Sequence, residues 1–151
     1  MFEELEENAK NELKRADHLI YVTLKYTRTA DVIHNTLKRL IAAFEYSMLE
    51  LLEYLIKKKK IKEVPKSHRL RAELLKEKIP QLKTEMDFYL LLRRLEESPY
   101  KGREEYRKNV TLISEIKLGE THEVNQDLIY KYYERTSRFV EAVEEFVKAN
   151  K

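Results

Sequence analysis

Cysteine is absent from this sequence, and glycine and proline are scarce, with two and three copies. Without thiols there can be no disulfide, no thiolate metal site and no cysteine nucleophile, a state that suits a reducing cytoplasm. Gly102 and Gly119 alone cannot build a phosphate-cradling loop, and neither a Walker motif nor a dinucleotide fingerprint is present. No serine sits in a nucleophile elbow. The longest apolar stretch is interrupted by Glu45, Glu50 and Glu53 and falls short of the roughly 20 residues that span a bilayer, so no membrane association is expected. The first residues, Met-Phe-Glu-Glu-Leu-Glu-Glu, lack the basic-then-apolar order of a secretory signal. His18, His34, His68 and His122 lie in four separate segments, and no Glu-x-x-His pair occurs. Neither a metal nor another cofactor is therefore expected.

What is present is helix-forming. Leu, Glu and Lys abound, charged residues make up 38% of the chain, and 151 residues suit a single domain, taken here as 1–151. The surplus of Lys and Glu is of the kind found in proteins from hot environments. The net charge is only +3, but it is segregated. Between Lys57 and Lys83 there are eleven Lys or Arg against three Glu, whereas residues 1–17 carry six acids against three bases. Such a basic run either contacts phosphates or forms a solvated helix end.

Apolar periodicity predicts the elements. Leu5, Ala9, Leu13, Ala16, Ile20 and Leu24 recur at three- and four-residue steps, which predicts one helix from Glu3 to about Tyr26. Thr29 or Asp31 can cap a second, antiparallel helix carrying Ile33, Leu37, Leu40, Phe44, Met48, Leu51 and Leu55. Lysines close that helix, and Pro65 prevents simple continuation. Ser67 can cap a shorter helix through Lys78, and Thr84 the one that carries Phe88, Leu91, Leu92 and Leu95. Tyr106, Val110, Ile113 and Ile116 fit a helix from about 103 to 118, with Gly119 as its left-handed C′ residue, although the β-branched run at Val110 also permits a short extended piece. Asn125 can cap the last helix. The expected architecture is all-α, an antiparallel up-and-down bundle of four to five main helices.

Two features stand out as candidate sites. Glu45 follows Phe44 on the apolar flank of the central helix; its carboxylate either reaches solvent at the edge or pairs with an arginine from a neighbouring helix. Tyr100 and Tyr106 lie among Arg93, Arg94, Lys101, Arg103, Arg107 and Lys108, a mixture in which guanidinium forks can grip phosphates while rings stack on splayed bases. Glu96, Glu97, Glu104 and Glu105 lie in the same stretch, so a helix surface with its tyrosines at the edge is the plainer reading.

The order of elements resembles the HEPN superfamily of small helical bundles: an antiparallel helix pair, a central "AAFEYSMLELLEYLI" with an internal Glu, "PKSHRL" opening a short helix, then "FYLLLRRLEESPYKGREEYRKN". Many members are metal-independent ribonucleases, or toxins paired with a companion antitoxin, and the resemblance implies a homodimer. Their motif is an Arg, a polar residue and a His after four to six intervening positions. On that comparison Arg107 and Asn109 match its first part, with Arg103 a second candidate, but Leu112, Ile113 and Ser114 stand where the histidine belongs. Arg28 and His34 have the spacing, but they straddle the turn into the second helix. Cleavage through a 2′-hydroxyl benefits from a group that exchanges a proton near neutral pH, which leucine cannot do.

The expected function is thus a binding or assembly module for RNA or a companion protein. Its contact residues would be Arg93, Arg94, Arg103, Tyr106 and Arg107, with Asn109 beside them. The competing expectations are a ribonuclease in which Arg107 works with His68 or His122 brought in from elsewhere, and a purely structural bundle.

Overall fold

The computed structural model describes residues 2–150. Among the described residues the chain forms α1 (Phe2–His18), the single-turn α2 (Leu24–Tyr26), α3 (Ala30–Lys57), α4 (His68–Lys78) and α5 (Lys83–Glu97), then a three-stranded antiparallel sheet of β1 (Tyr100–Arg103), β2 (Thr111–Lys117) and β3 (Glu120–Asn125), and finally α6 (Gln126–Asn150). The all-α expectation is therefore incorrect. The fold is mixed, a helical bundle with a β-meander inserted before its last helix.

The helical part follows the apolar pattern. Ala9, Leu13, Ala16, Ile20 and Leu24 are all buried, and a π-helical turn at Leu19–Thr23 joins α1 to α2, with the Leu24 N–H donating to the Leu19 carbonyl. Helix α3 is the central rod. Thr29 caps it by accepting from the Val32 N–H, and its buried face holds Ile33, Leu37, Leu40, Phe44, Met48, Leu51, Leu52 and Leu55. Phe44 stacks on Phe139 of α6 at 4.5 Å between ring centres and meets Phe88 of α5 edge-on. Lys57 and Lys58 lie over the rings of Phe2 and Tyr54, so the start of the lysine run covers apolar surface at the end of α3. Ser67 caps α4 and Asn125 caps α6, through the Leu70 and Leu128 N–H groups. Thr84 is not a cap, because a 3₁₀ turn at Pro80–Leu82 runs directly into α5. Among the described residues no helix is long and apolar enough to cross a membrane.

The helix expected at 103–118 is replaced by the end of β1, a tight loop and β2. Val110, Ile113 and Ile116 fit a helical repeat, but Leu112 and Ser114 fit an alternating one, and burial selects the latter. Val110, Leu112 and Val124 are fully buried and join the main core, each contributing roughly 1.5–3 kcal/mol relative to exposure. The register Gly102↔Leu112↔Val124 and Tyr100↔Ser114↔His122 places one face of the sheet toward the helices. The alternate positions, Lys101↔Ile113↔Glu123 and Arg103↔Thr111↔Asn125, fall on the other face. Gly119 does adopt a left-handed conformation, with φ of 77°, but in the two-residue turn between β2 and β3 rather than after a helix.

Candidate functional site

The loop between β1 and β2, residues 104–110, carries most of the candidate contact residues and is fixed at both its backbone and its side chains. The Glu105 carboxylate crosses to the start of α3 and accepts from the Ala30 N–H at 3.1 Å, one of the donors that the first turn of a helix leaves without a partner. The Tyr106 N–H donates to the Arg28 carbonyl at 2.5 Å. Gly102 makes room for this arrangement, because a Cβ there would lie 1.8 Å from Glu105 Oε1. Glu104 and Tyr106 are both held at positive φ, 57° and 66°, a conformation that side chains with a Cβ seldom adopt. Each such residue costs on the order of 1 kcal/mol, so the surroundings hold the loop against its own preference.

That strained loop presents Tyr106, 78% exposed, and Arg107, whose side chain is 77% exposed and lies a loose 3.8 Å from Glu104. Arg103 projects from the outer face of β1 and pairs with Glu123 of β3 across the sheet, a contact that keeps the Glu123 carboxyl below its ordinary range. Lys25, Arg28 and Lys108 make no ion pair among the described residues. The Arg28 Nε is buried without a hydrogen bond. Tyr26, two residues from Arg28, is 84% exposed. Beside the loop lies a polar cleft of about 400 Å³ lined by Arg103, Lys108, Asn109, Thr111, Asn125 and Gln126 together with Glu104 and Asp127. Asn109 is thus at the cleft rather than on a helix with Arg107.

Two of the expected contact residues lie elsewhere. Arg94 is exposed on α5, and Arg93 is engaged with acids. The Arg93 guanidinium donates to Glu45 Oε2 at 2.8 Å and to Glu97 at 2.5 Å, and the hydroxyl of the fully buried Tyr89 donates to the same Glu45 oxygen at 2.6 Å. Glu45 therefore does pair with an arginine of a neighbouring helix. His68, the first residue of α4, brings Nδ1 to 3.2 Å from Glu45 Oε2, at ion-pair distance but out of line for a hydrogen bond. Burial, and then the bond to Glu45, push the Tyr89 phenol far above its ordinary value, so it stays a donor throughout the accessible pH range. This cluster ties α3, α4 and α5 together.

Of the other histidines, His18 lies exposed with Nδ1 3.5 Å from the Thr23 hydroxyl, and the remaining two are engaged. His34 stacks on Tyr100 at 4.4 Å and its Nε2 contacts the Glu96 carbonyl at 2.8 Å; His122 Nε2 lies 3.3 Å from the Tyr132 hydroxyl. Positions 112–114, where a helical motif would hold its histidine, lie on β2, with Leu112 and Ser114 buried and the Ser114 hydroxyl donating to the Leu95 carbonyl. Arg107 and those positions share no helix face. Among the described residues no group of histidines and acids could hold a metal ion.

Sequence reasoning set Glu105 and Arg28 aside and did not single out Tyr26. Glu105 read as one more surface acid, and nothing local tells that its carboxylate reaches a helix start 75 residues earlier. Comparisons with family models, with curated proteins and with solved structures gave no match, so function rests on the site itself.

Proposed function

We propose that this is an HEPN-like binding module that holds RNA on the surface formed by the 104–109 loop, the α2–α3 junction and the neighbouring cleft. The observation that carries the reading is the loop itself. Two residues are kept in a disfavoured conformation by long-range anchors, and what they display to solvent is a tyrosine, an arginine and a lysine. Strain maintained in that way is concentrated at functional sites. The cations of this end, Arg28, Arg107 and Lys108, lack close carboxylate partners, apart from the loose contact of Arg107 with Glu104. A phosphate can therefore approach Arg28 and Lys108 without breaking an ion pair, and Arg107 by loosening one long contact. A companion protein is the alternative occupant, and the module is proposed to act as a homodimer, as the resemblance implies.

The test is binding of labelled RNA at two salt concentrations. Three phosphate contacts on a single strand predict a salt slope of about −2, so that affinity falls roughly 20-fold between 50 and 200 mM salt. Arg107→Ala is expected to lower that slope by about 0.7. RNA binding undetectable at low salt would refute the reading and favour the companion protein or a purely structural bundle.

The competing reading, a metal-independent ribonuclease, draws on a different place. Imidazole, carboxylate and guanidinium meet at His68, Glu45 and Arg93, not at Arg107. Incubation with structured RNA in EDTA separates the two: cleavage that depends on His68 would overturn the binding-only reading.

A further inference from the structure

We infer that the surface selects single-stranded nucleic acid, with Tyr26 and Tyr106, both next to Arg28, as stacking platforms. The inference rests on the RNA reading above and specifies its substrate class. An isolated exposed tyrosine needs no explanation. Here two of the most exposed large apolar side chains of the molecule, at 84% and 78%, come from sequence positions 80 apart and are brought to one place by the Tyr106 N–H donating to the Arg28 carbonyl. Among the described residues neither ring takes part in an aromatic contact; seven of the other eight tyrosines do, and the eighth, Tyr46, packs against the core. With 84% and 78% of their surface exposed and no ring partner, both side chains are open to a stacking base.

The backbone supports the same conclusion. Tyr106 occupies a left-handed position that Gly or Asn would fill at lower cost, and Tyr26 ends a helix that has just passed through a π-helical turn, a feature often found at functional sites. A duplex keeps its bases stacked inside and offers these rings only its backbone, so it would gain from the cations and not from the tyrosines. A single strand gains from both: bases on the two rings, phosphates on Arg28, Arg107 and Lys108.

The experiment compares anisotropy of a short labelled single-stranded RNA, the same sequence as single-stranded DNA, and an RNA duplex, with wild type and the variants Y26L, Y106L, Y26F and Y106F. Wild type is expected to bind either single strand at least about 10-fold more tightly than the duplex. Each Leu variant should weaken single-strand binding about 10-fold and leave duplex binding unchanged, and each Phe variant should retain it. Equal binding of duplex and single strand, or Leu variants that bind as wild type, would overturn the inference while leaving the basic-surface reading intact. Loss of all binding at low salt would overturn both. Circular dichroism of each variant confirms that the loop change has not unfolded the protein.

Discussion

Replacing Gly102 by alanine should damage the protein through Glu105 and through nothing else. The added Cβ would lie 1.8 Å from Glu105 Oε1, 2.5 Å from its carboxyl carbon and 2.9 Å from its Cγ, so the side chain must leave. Leaving breaks the bond to the Ala30 N–H at the start of α3. A helix-capping bond is worth about 1 kcal/mol, and its carboxylate gains roughly a further 0.3–1 from the helix dipole, so G102A should cost about 1–2 kcal/mol. E105A should cost the same, because it removes the same bond. In the double variant the three atoms nearest the methyl group are gone, and Gly102 is not at positive φ, so alanine there is conformationally acceptable. The double variant should then be no less stable than E105A, giving a coupling of about 1–2 kcal/mol between two residues that would otherwise add. Urea unfolding of the four proteins measures this. Additive losses would refute the argument, since they would mean that Gly102 is required for some reason other than the Glu105 carboxylate.

Other perturbations separate function from stability. Y106G should stabilise the fold by up to about 1 kcal/mol by relieving the left-handed residue, and at the same time weaken RNA binding; thermal unfolding beside anisotropy reads both. R93A leaves Glu45 with the Tyr89 hydroxyl but without its arginine and is expected to cost about 2 kcal/mol, discounted from a fully buried pair because both side chains are about one quarter exposed, while the E45Q/R93A pair should cost less than the sum of its singles in urea unfolding. Glu144, whose side chain is 14% exposed, bonds Lys10 and Lys148, which hold its carboxyl below the ordinary 4.5. Its folded pKa is depressed, so its contribution is complete above the ordinary value and is lost as pH falls through the lower folded one; E144Q should flatten acid unfolding in that range. At the other end, the bond to Asp31, and then burial, push the Tyr100 phenol up to about 12. That contribution is present below pH 10 and is lost as pH rises toward 12, and Y100F should remove one late-titrating phenol from the absorbance titration.

The helical bundle was legible because its signals are local. The stripes of α1 and α3, the caps at Thr29, Ser67 and Asn125, and the lysines closing α3 act within one or two turns, and each stands where periodicity and capping rules put it. The pairing of Glu45 was legible as a need, since a carboxylate on an apolar flank requires a donor, though not as Arg93 in particular. Residues 103–118 were not legible in the same way. Val110, Ile113 and Ile116 satisfy a period of 3.6 while Val110, Leu112 and Ser114 satisfy a period of 2, and only the core available above α3 and α5 decides between them.

The sequence by itself therefore determined the stripes of the long helices, the caps at Thr29, Ser67 and Asn125, the missing histidine after Arg107 and the lack of thiols, because all of these depend on neighbours in the chain. Tertiary structure decided the rest. It converted "REEYRKNVTLIS" from an expected helix into a loop and a strand, seated Glu105 on the start of α3, and brought Tyr106 beside Arg28. Those outcomes depend on donors and apolar surface contributed from about 75 residues away, and no local propensity of the loop encodes where such partners will lie.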